Sequence, residues 1–248
     1  MKRIIVVLLA LIMIGSVAVA EGAYVNIGDY NETVLALHKK LSDLGYYGLR
    51  PESPWSTKSS DALRLVQKVL GWNATGTVEN KEQYEQILSL NLTGINLLIN
   101  ANSPQLGSSD YENGNWRAAS GGSGLREVVE IKDAPDEGTV TGFHIKGSAE
   151  DTANTDVAID NVPVKYGDTY VMSCYAKGTG RIGIQHGKGP YIKEEFDVCD
   201  EWKRYETEFV IGDSDGSTVM SPATNVYFGV PAGVESDVVI CGMIMVKK

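Results

Sequence analysis

The segment 166-YGDTYVMSCYAKG-178 follows a Gly-Asp turn with a run in which every second side chain is apolar. Successive side chains of a β-strand point to opposite faces. One face of the predicted strand is therefore a core face, formed by Tyr170, Met172, Cys174 and Ala176. The intervening Tyr175 would point to the other side of the sheet.

The same pattern recurs along the second half of the chain, where Gly, Ser, Asp and Thr separate short runs rich in Val, Ile and Tyr. Regularly spaced runs of this kind indicate an antiparallel β-sandwich, for which we predict a jelly roll over residues 95–248. We expect the glycine-rich stretch 121–124 to be a flexible surface loop. The nine predicted strands are Ile95–Ile99, Arg126–Ile131, Thr139–Ile145, Val157–Ile159, Thr169–Ala176, Arg181–His186, Lys203–Val210, Val226–Val230 and Val238–Val246.

The first half has a helical period instead. Apolar residues recur every three or four positions from Asn31 until Gly45 ends the pattern. Two further helices are predicted over Ser59–Leu70 and Asn80–Leu90, with Ser59 or Ser60 as an N-cap. The fold class is thus α + β with two domains, a small three-helix bundle at 28–90 followed by the β-sandwich at 95–248. We predict that the two domains fold as separate units.

Residues 1–20 have the features of a signal peptide. Lys2 and Arg3 precede the apolar run Ile4–Ile14, and Ala18-Val19-Ala20 fits a cleavage site. The alternative is an uncleaved N-terminal anchor. We expect a secreted protein that does not associate with membranes after cleavage. The formal net charge of −10 also argues against nucleic-acid binding, which requires clustered Lys and Arg.

The sequence has no recognisable catalytic motif. Its three His and three Cys show no HExxH or CxxC spacing, and no SxxK or GxSxG motif is present. The Cys residues are expected to be buried thiols, with one disulfide as the alternative. We therefore predict a protein that is not an enzyme and that uses no cofactor or metal.

The segment Gly45-Tyr46-Tyr47, followed by Trp55-Ser56-Thr57-Lys58-Ser59 and Val66-Gln67, resembles the peptidoglycan-binding-domain repeat. The resemblance covers about residues 28–90. It implies a helical fold and a groove for peptidoglycan, with Tyr47 and Trp55 as the aromatic candidates. Trp55 has an alternative role as a core residue, whereas Tyr47 is expected to be exposed.

Three segments of the second half, 96-NLLIN-100, 166-YGDTYVMSCYAKG-178 and 201-EWKRY-205, resemble jelly-roll carbohydrate-binding modules of the galactose-binding-like type. The resemblance implies a carbohydrate ligand. Many such modules hold a structural calcium, but Ser103-Pro104 and Cys241 stand where its ligands would be. No calcium is therefore expected at that place.

Sugar binding needs exposed aromatic rings with amide, carboxylate or guanidinium groups nearby. Strand alternation places four such residues on the outer face, and Trp116 in the preceding loop could cap one end. We predict a secreted, non-catalytic protein that binds peptidoglycan or another polysaccharide. The alternatives are a polysaccharide lyase or glycosidase on a jelly roll, and a structural envelope-assembly protein. The four outer-face candidates are Tyr175, Arg181, Gln185 and Tyr227.

Overall fold

The computed structural model describes residues 23–47, 50–136, 138–139, 141–187, 192–211 and 223–248. In this part of the chain, three helices precede eleven strands that form two largely antiparallel sheets. The helical and β-rich halves of the predicted fold class are confirmed in this form. The more specific jelly-roll arrangement stays a prediction, and the predicted signal peptide lies outside the described residues.

Local capping fixes where the three helices begin. Asn31 and Asn80 cap α1 (Glu32–Asp43) and α3 (Lys81–Ser89) by accepting backbone N–H bonds through their side chains. The second helix, α2 (Thr57–Val69), begins two residues before the predicted start. Its N-cap is Ser56, which exchanges hydrogen bonds with Ser59 in a capping box.

One sheet has six strands in the order β1-β2-β5-β10-β7-β8, and the other has five in the order β3-β4-β11-β6-β9. All pairings are antiparallel except that of β1 with β2. The strands are β1 (Gln105–Leu106), β2 (Asn115–Ala119), β3 (Arg126–Glu130), β4 (Thr141–Gly147), β5 (Thr155–Pro163), β6 (Thr169–Thr179), β7 (Arg181–His186), β8 (Ile192–Asp197), β9 (Lys203–Val210), β10 (Ala223–Val230) and β11 (Ser236–Lys247).

The strand predictions have one error and three omissions. The predicted strand Ile95–Ile99 is wrong, because this segment makes only an isolated bridge from Asn96 to Val246 of β11. The sequence reading missed β1, β2 and β8. Each of these three strands is short or carries charged and polar residues at several positions, so its apolar signal is weak.

The two sheets pack face to face and enclose the core. The Trp116 ring on β2 lies 5.6 Å from Phe143 of the opposite sheet and 6.0 Å from Phe228 of its own sheet. The predicted core face of β6 is confirmed, because all four of its residues are buried: Tyr170, Met172, Cys174 and Ala176.

The helical half and the sandwich share one continuous hydrophobic core. Gly45, with a φ of 87°, lies close to the sandwich, because a Cβ there would be 3.0 Å from the Val164 carbonyl group. The hydroxyl groups of Tyr46 and Tyr111 meet at 3.5 Å, and that of Tyr111 donates to the Leu97 carbonyl at 2.7 Å. Independent folding of the two halves stays a prediction. Separating the halves would expose the apolar residues that they bury against each other.

The loop 121–124 was expected to be flexible, but it is tightly held. The guanidinium group of Arg126 donates to the backbone carbonyls of Ala119, Gly122 and Gly124 at 2.9–3.1 Å. A methyl group on Gly124 would collide with the Lys146 carbonyl oxygen. This loop is therefore a packed corner of the sandwich.

Candidate functional site

The outer face of the six-stranded sheet carries a row of side chains set by strand register. Arg117 on β2 and Tyr227 on β10 both lie opposite Ala158 of β5, and Tyr227 lies opposite Gln185 of β7. Register thus aligns a guanidinium, a phenol and an amide across four neighbouring strands. We call Arg117, Tyr227 and Gln185, together with Asp156 and Asp160 of β5, the sheet-face site.

An ion pair occupies one end of the sheet-face site. Arg117 donates from Nε and Nη2 to the two carboxylate oxygens of Asp160, at 2.6 and 3.0 Å. The Arg117 Cζ atom also lies 5.9 Å from the centre of the Tyr227 ring. Hydrogen bonding to Asp160 raises the pKa of Arg117 despite its partial burial. A bidentate interaction of this kind fixes both the position and the plane of the guanidinium group.

Asp156 lies beneath the surface of the same face and is almost fully buried. Its Oδ2 accepts hydrogen bonds from the Ser120 hydroxyl at 2.6 Å and from Gln185 Nε2 at 2.8 Å. A side chain at Gly229 would collide with Asp156 Oδ1, so glycine is required there. Asp156 and Gln185 therefore tie β5, β7 and the end of β2 together across the face.

Charged groups line the far edge of this face. Arg181 Nε donates to Asp197 Oδ1 at 2.9 Å, and its Nη1 lies 3.6 Å from Glu195 Oε2. The hydrogen bond to Asp197 raises the pKa of Arg181, which is about half exposed. This exposed ion pair resembles the Arg117–Asp160 pair in its chemistry, but its aromatic neighbour, Tyr205, donates its hydroxyl group to the Asp197 carbonyl at 3.0 Å.

The structure does not bring the four outer-face candidates together. Arg181, Gln185 and Tyr227 belong to the six-stranded sheet, whereas Tyr175 lies on the five-stranded sheet opposite Cys241 and Arg204. The prediction of a single patch is therefore wrong. β6 and β7 are adjacent in sequence, but they belong to different sheets, so the two outer faces point in opposite directions.

Three side chains predicted to be exposed in the β half are buried. Trp116 is fully buried between the sheets and not in a loop. Tyr227 is only 7% exposed, and Gln185 is also buried. Alternation gave the correct side of the sheet for Tyr227 and Gln185, but their predicted exposure is wrong. The buried Tyr227 ring therefore cannot serve as an exposed stacking surface for a sugar.

The two groove candidates of the helical half also lie in the core. Tyr47 and Trp55 are both buried, and each ring stacks on the buried imidazole of His38, at centroid distances of 4.3 and 5.3 Å. The prediction that Tyr47 is exposed is wrong, and Trp55 has the alternative role of a core residue. His38 Nδ1 must donate to the Pro51 carbonyl at 3.0 Å, so Nε2 accepts from the Ser59 hydroxyl at 2.8 Å.

Sequence reasoning missed Arg117, Asp156 and Asp160. A signal was present, because Asp156 and Asp160 stand two positions apart from Ala158 on the polar side of the alternating run 156-DVAID-160. The predicted strand covered only the three central residues and left both carboxylates outside. Arg117 was missed because its short strand was not recognised.

The described residues contain no group of three or more His, Cys, Asp or Glu that could hold a metal ion. Within that same part of the chain, no helix has the length and hydropathy needed to span a bilayer. Cys174, Cys199 and Cys241 are all free thiols; Cys174 and Cys241 are buried as expected, whereas Cys199 is partly exposed. Burial raises the pKa of Cys174, and it raises that of Cys241 to about 12.

No family model and no curated protein matches the sequence. The solved structures similar to this chain include the enzymatically active domain of tailspike protein 4 of bacteriophage CBA120, with 13% identity and a TM-score of 0.42. That match covers 54% of this chain and 19% of the chain in the tailspike structure. The first of these relatives is thus matched over about a fifth of its length.

Two further similar structures are carbohydrate-binding modules. A xylan-binding domain of family 22 from Paenibacillus barcinonensis has 12% identity, a TM-score of 0.42, and coverage of 64% of this chain and 97% of its own. A family 61 module in complex with β-1,4-galactotriose has 14% identity, a TM-score of 0.39, and coverage of 54% and 88%. These TM-scores are too low to transfer a function to this chain.

Proposed function

We propose that this protein is a non-catalytic glycan-binding protein and that its ligand lies on the sheet-face site beside Arg117 and Asp160. The observation that carries the proposal is the bidentate ion pair between these residues, whose guanidinium group lies over the Tyr227 ring. Arg117 and Asp160 remain 33% and 22% exposed, so a ligand can still reach both side chains.

The chemistry of the pair suits a neutral sugar. A guanidinium group has five N–H donors and a carboxylate can accept about four hydrogen bonds, so the two hydrogen bonds between them do not saturate either group. Neighbouring hydroxyl groups of a pyranose both donate and accept, and they match a fixed donor–acceptor pair. Because Asp160 and Tyr227 already hold the guanidinium group in place, little side-chain entropy is lost when the ligand binds.

Tyr227 and Gln185 take supporting roles in this proposal. The buried Tyr227 ring sets the position of the Arg117 guanidinium group, and Gln185 braces the buried Asp156. Recognition would depend on hydrogen bonds more than on stacking against an aromatic ring. This differs from the aromatic patch expected from the sequence alone.

We also propose that the protein acts outside the cell, where residues 1–20 would direct it by their signal-peptide pattern. Peptidoglycan or another polysaccharide would be the partner. Resemblance of residues 28–90 to the peptidoglycan-binding repeat supports the first of these partners. The helical half would then add contacts at a surface other than Tyr47 and Trp55, since both of those rings are in the core.

The test is calorimetric titration of the purified protein with soluble xylan, β-glucan, galactan and muropeptide fragments. Asp160→Asn should weaken binding about tenfold or more, because it breaks a charged hydrogen-bonded pair next to the ligand. Asp197→Asn is the matched control, since it breaks the corresponding pair with Arg181 at the sheet edge. Equal affinities for wild type and Asp160→Asn would place the ligand elsewhere.

One observation favours a second candidate function, a structural role in envelope assembly. A protein of that kind would have a buried outer face, and Tyr227 is only 7% exposed. Sedimentation of the purified protein over a range of concentrations separates the two roles. Concentration-dependent assembly without binding of any glycan in the panel would favour the structural role.

A further inference from the structure

A group of exposed apolar side chains lies on the helical half and shares no residue with the sheet-face site. Among the described residues, six large apolar side chains are exposed, and three of them fall within seven positions: Tyr24 at 39%, Ile27 at 70% and Tyr30 at 59%. The Tyr84 ring of α3 lies 5.5 Å from that of Tyr24. Tyr24 and Tyr84 are thus in contact, and Ile27 and Tyr30 follow Tyr24 on the same short segment; we call these four residues the tyrosine shelf.

The backbone beneath the tyrosine shelf is held firmly. The Tyr24 N–H donates to the Val78 carbonyl at 2.7 Å. At the other end of the segment, the Gly28 N–H donates to the Trp55 carbonyl at 2.8 Å. The Trp55 N–H in turn donates to the Asp29 carbonyl, also at 2.8 Å. The segment 24–29 is thus tied to the helical body on both sides. A fixed backbone therefore presents the exposed Tyr24 ring and the Ile27 side chain, which lowers the entropic cost of binding.

Acidic residues stand within a few positions of the shelf residues in the sequence. Glu79 follows Val78, the backbone partner of Tyr24, and Glu82 and Glu85 lie on α3 on either side of Tyr84. All three are exposed. Glu32 at the start of α1 is exposed as well, near Tyr30 in the sequence. The basic residue on this stretch of α3, Lys81, is 3.6 Å from Glu85 and is partly neutralised by it.

We propose that the tyrosine shelf binds an amino sugar that carries a free, protonated amine. The rings offer flat apolar faces to the C–H faces of a pyranose, and aromatic faces also attract cations. The carboxylates near them in the sequence complement ammonium groups, and the strongly acidic chain favours the approach of a cationic polymer. This site uses none of the residues of the sheet-face site, so it stands or falls independently of that proposal.

The experiment compares two probes on the complete purified protein, the hexasaccharides of glucosamine and of N-acetylglucosamine, in mildly acidic buffer of low ionic strength. The glucosamine hexasaccharide should bind at least about tenfold more tightly, because acetylation removes its positive charges. Equal affinities for the two probes would overturn the proposal.

Substitutions then locate the site. Replacing both rings, with Tyr24→Ala and Tyr30→Ala, should weaken binding of glucosamine hexasaccharide about tenfold. Tyr24→Phe with Tyr30→Phe should retain it, because the ring faces remain. The matched control is Val210→Ala, another exposed apolar residue of the protein. Unchanged affinity in the double alanine variant, with an unchanged circular dichroism spectrum, would remove the shelf from consideration.

Two further arms test the charge and the sugar ring. Glu79→Gln with Glu82→Gln should weaken binding of glucosamine hexasaccharide and leave that of the acetylated sugar unchanged. Hexalysine carries similar charge without pyranose rings. If hexalysine bound as tightly as the amino sugar, general attraction of cations would explain the effect and the proposed sugar site would be refuted. If Asp160→Asn lost binding of the neutral polysaccharides but still bound glucosamine hexasaccharide with full affinity, the two sites would be separate, as proposed. If Asp160→Asn lost binding of glucosamine hexasaccharide, the tyrosine shelf would be refuted as its site.

Discussion

Acidification should weaken this protein through His186, the last residue of β7. The imidazole stacks on Phe209 of the opposite sheet at a centroid distance of 3.7 Å. Within the described part of the chain, its buried Nε2 has no hydrogen-bond partner. Burial lowers the pKa of His186 from 6.5 to about 4. The sandwich therefore favours the neutral ring.

The sign and size of the effect follow from proton linkage. Below its ordinary pKa, His186 takes up a proton in the unfolded chain but not in the folded one, so the free energy of unfolding falls as pH falls. Stability is complete above about pH 6.5 and declines until about pH 4. From about pH 7 to about pH 5 the loss is roughly 2 kcal/mol, and its limit at lower pH is roughly 3 kcal/mol.

Urea unfolding at both pH values, with and without His186→Phe, measures this contribution. The phenyl ring keeps the stack on Phe209 but cannot titrate, so the variant should lose about 2 kcal/mol less than wild type on acidification. The control is Phe209→Leu, which removes the stack and keeps the imidazole. It should be less stable at both pH values yet retain the pH dependence. The same pH dependence in wild type and His186→Phe would refute the reasoning.

Three further predictions concern packing, thiols and metals. Gly124→Ala should reduce the free energy of unfolding by about 1–3 kcal/mol, since the methyl group meets the Lys146 carbonyl, and urea unfolding would measure this loss; an unchanged midpoint would contradict it. A thiol reagent should modify only the partly exposed Cys199 in the folded protein, because Cys174 and Cys241 are buried, and should modify all three after unfolding. Excess EDTA should leave Tm unchanged, and a fall of several degrees would reveal a stabilising ion.

Local signals explain what could be predicted of the fold. Helices α1 and α3 begin where Asn31 and Asn80 supply caps, and capping depends on only a few neighbouring residues. The strands β7 and β9 have the predicted bounds because turn residues stand at both ends of a clear alternation. The segment Ile95–Ile99 failed because its apolar residues are shared between the sandwich and the adjoining helices and do not line one side of a sheet.

The predicted outer-face patch was wrong because the turn at Gly180 decides which of its candidates share a face. Gly180, with a φ of 87°, separates β6 from β7, and so short a connection in the sequence suggests a hairpin. The chain instead changes sheets there. The Arg181 N–H donates to the Ser236 hydroxyl, and the Val198 N–H donates to the Gly180 carbonyl. These partners are distant in sequence, so local periodicity could not show that Tyr175 and Arg181 face apart.

The connection between the halves determines how the two proposed glycan sites would cooperate. Residues 91–94 resemble a linker in sequence, but the Gly94 N–H bonds to the Lys247 carbonyl, and the Leu97 N–H bonds to that of Met245. Lys68 of α2 adds a hydrogen bond of 2.7 Å to the Glu112 carbonyl in the sandwich. The sheet-face site and the tyrosine shelf are thus fixed to one packed body. Two sites on a rigid body reinforce each other only for a glycan long enough to span them, because no flexible linker can bring them closer. Short oligosaccharides should therefore occupy the two sites independently, and any gain in affinity must come from chain length.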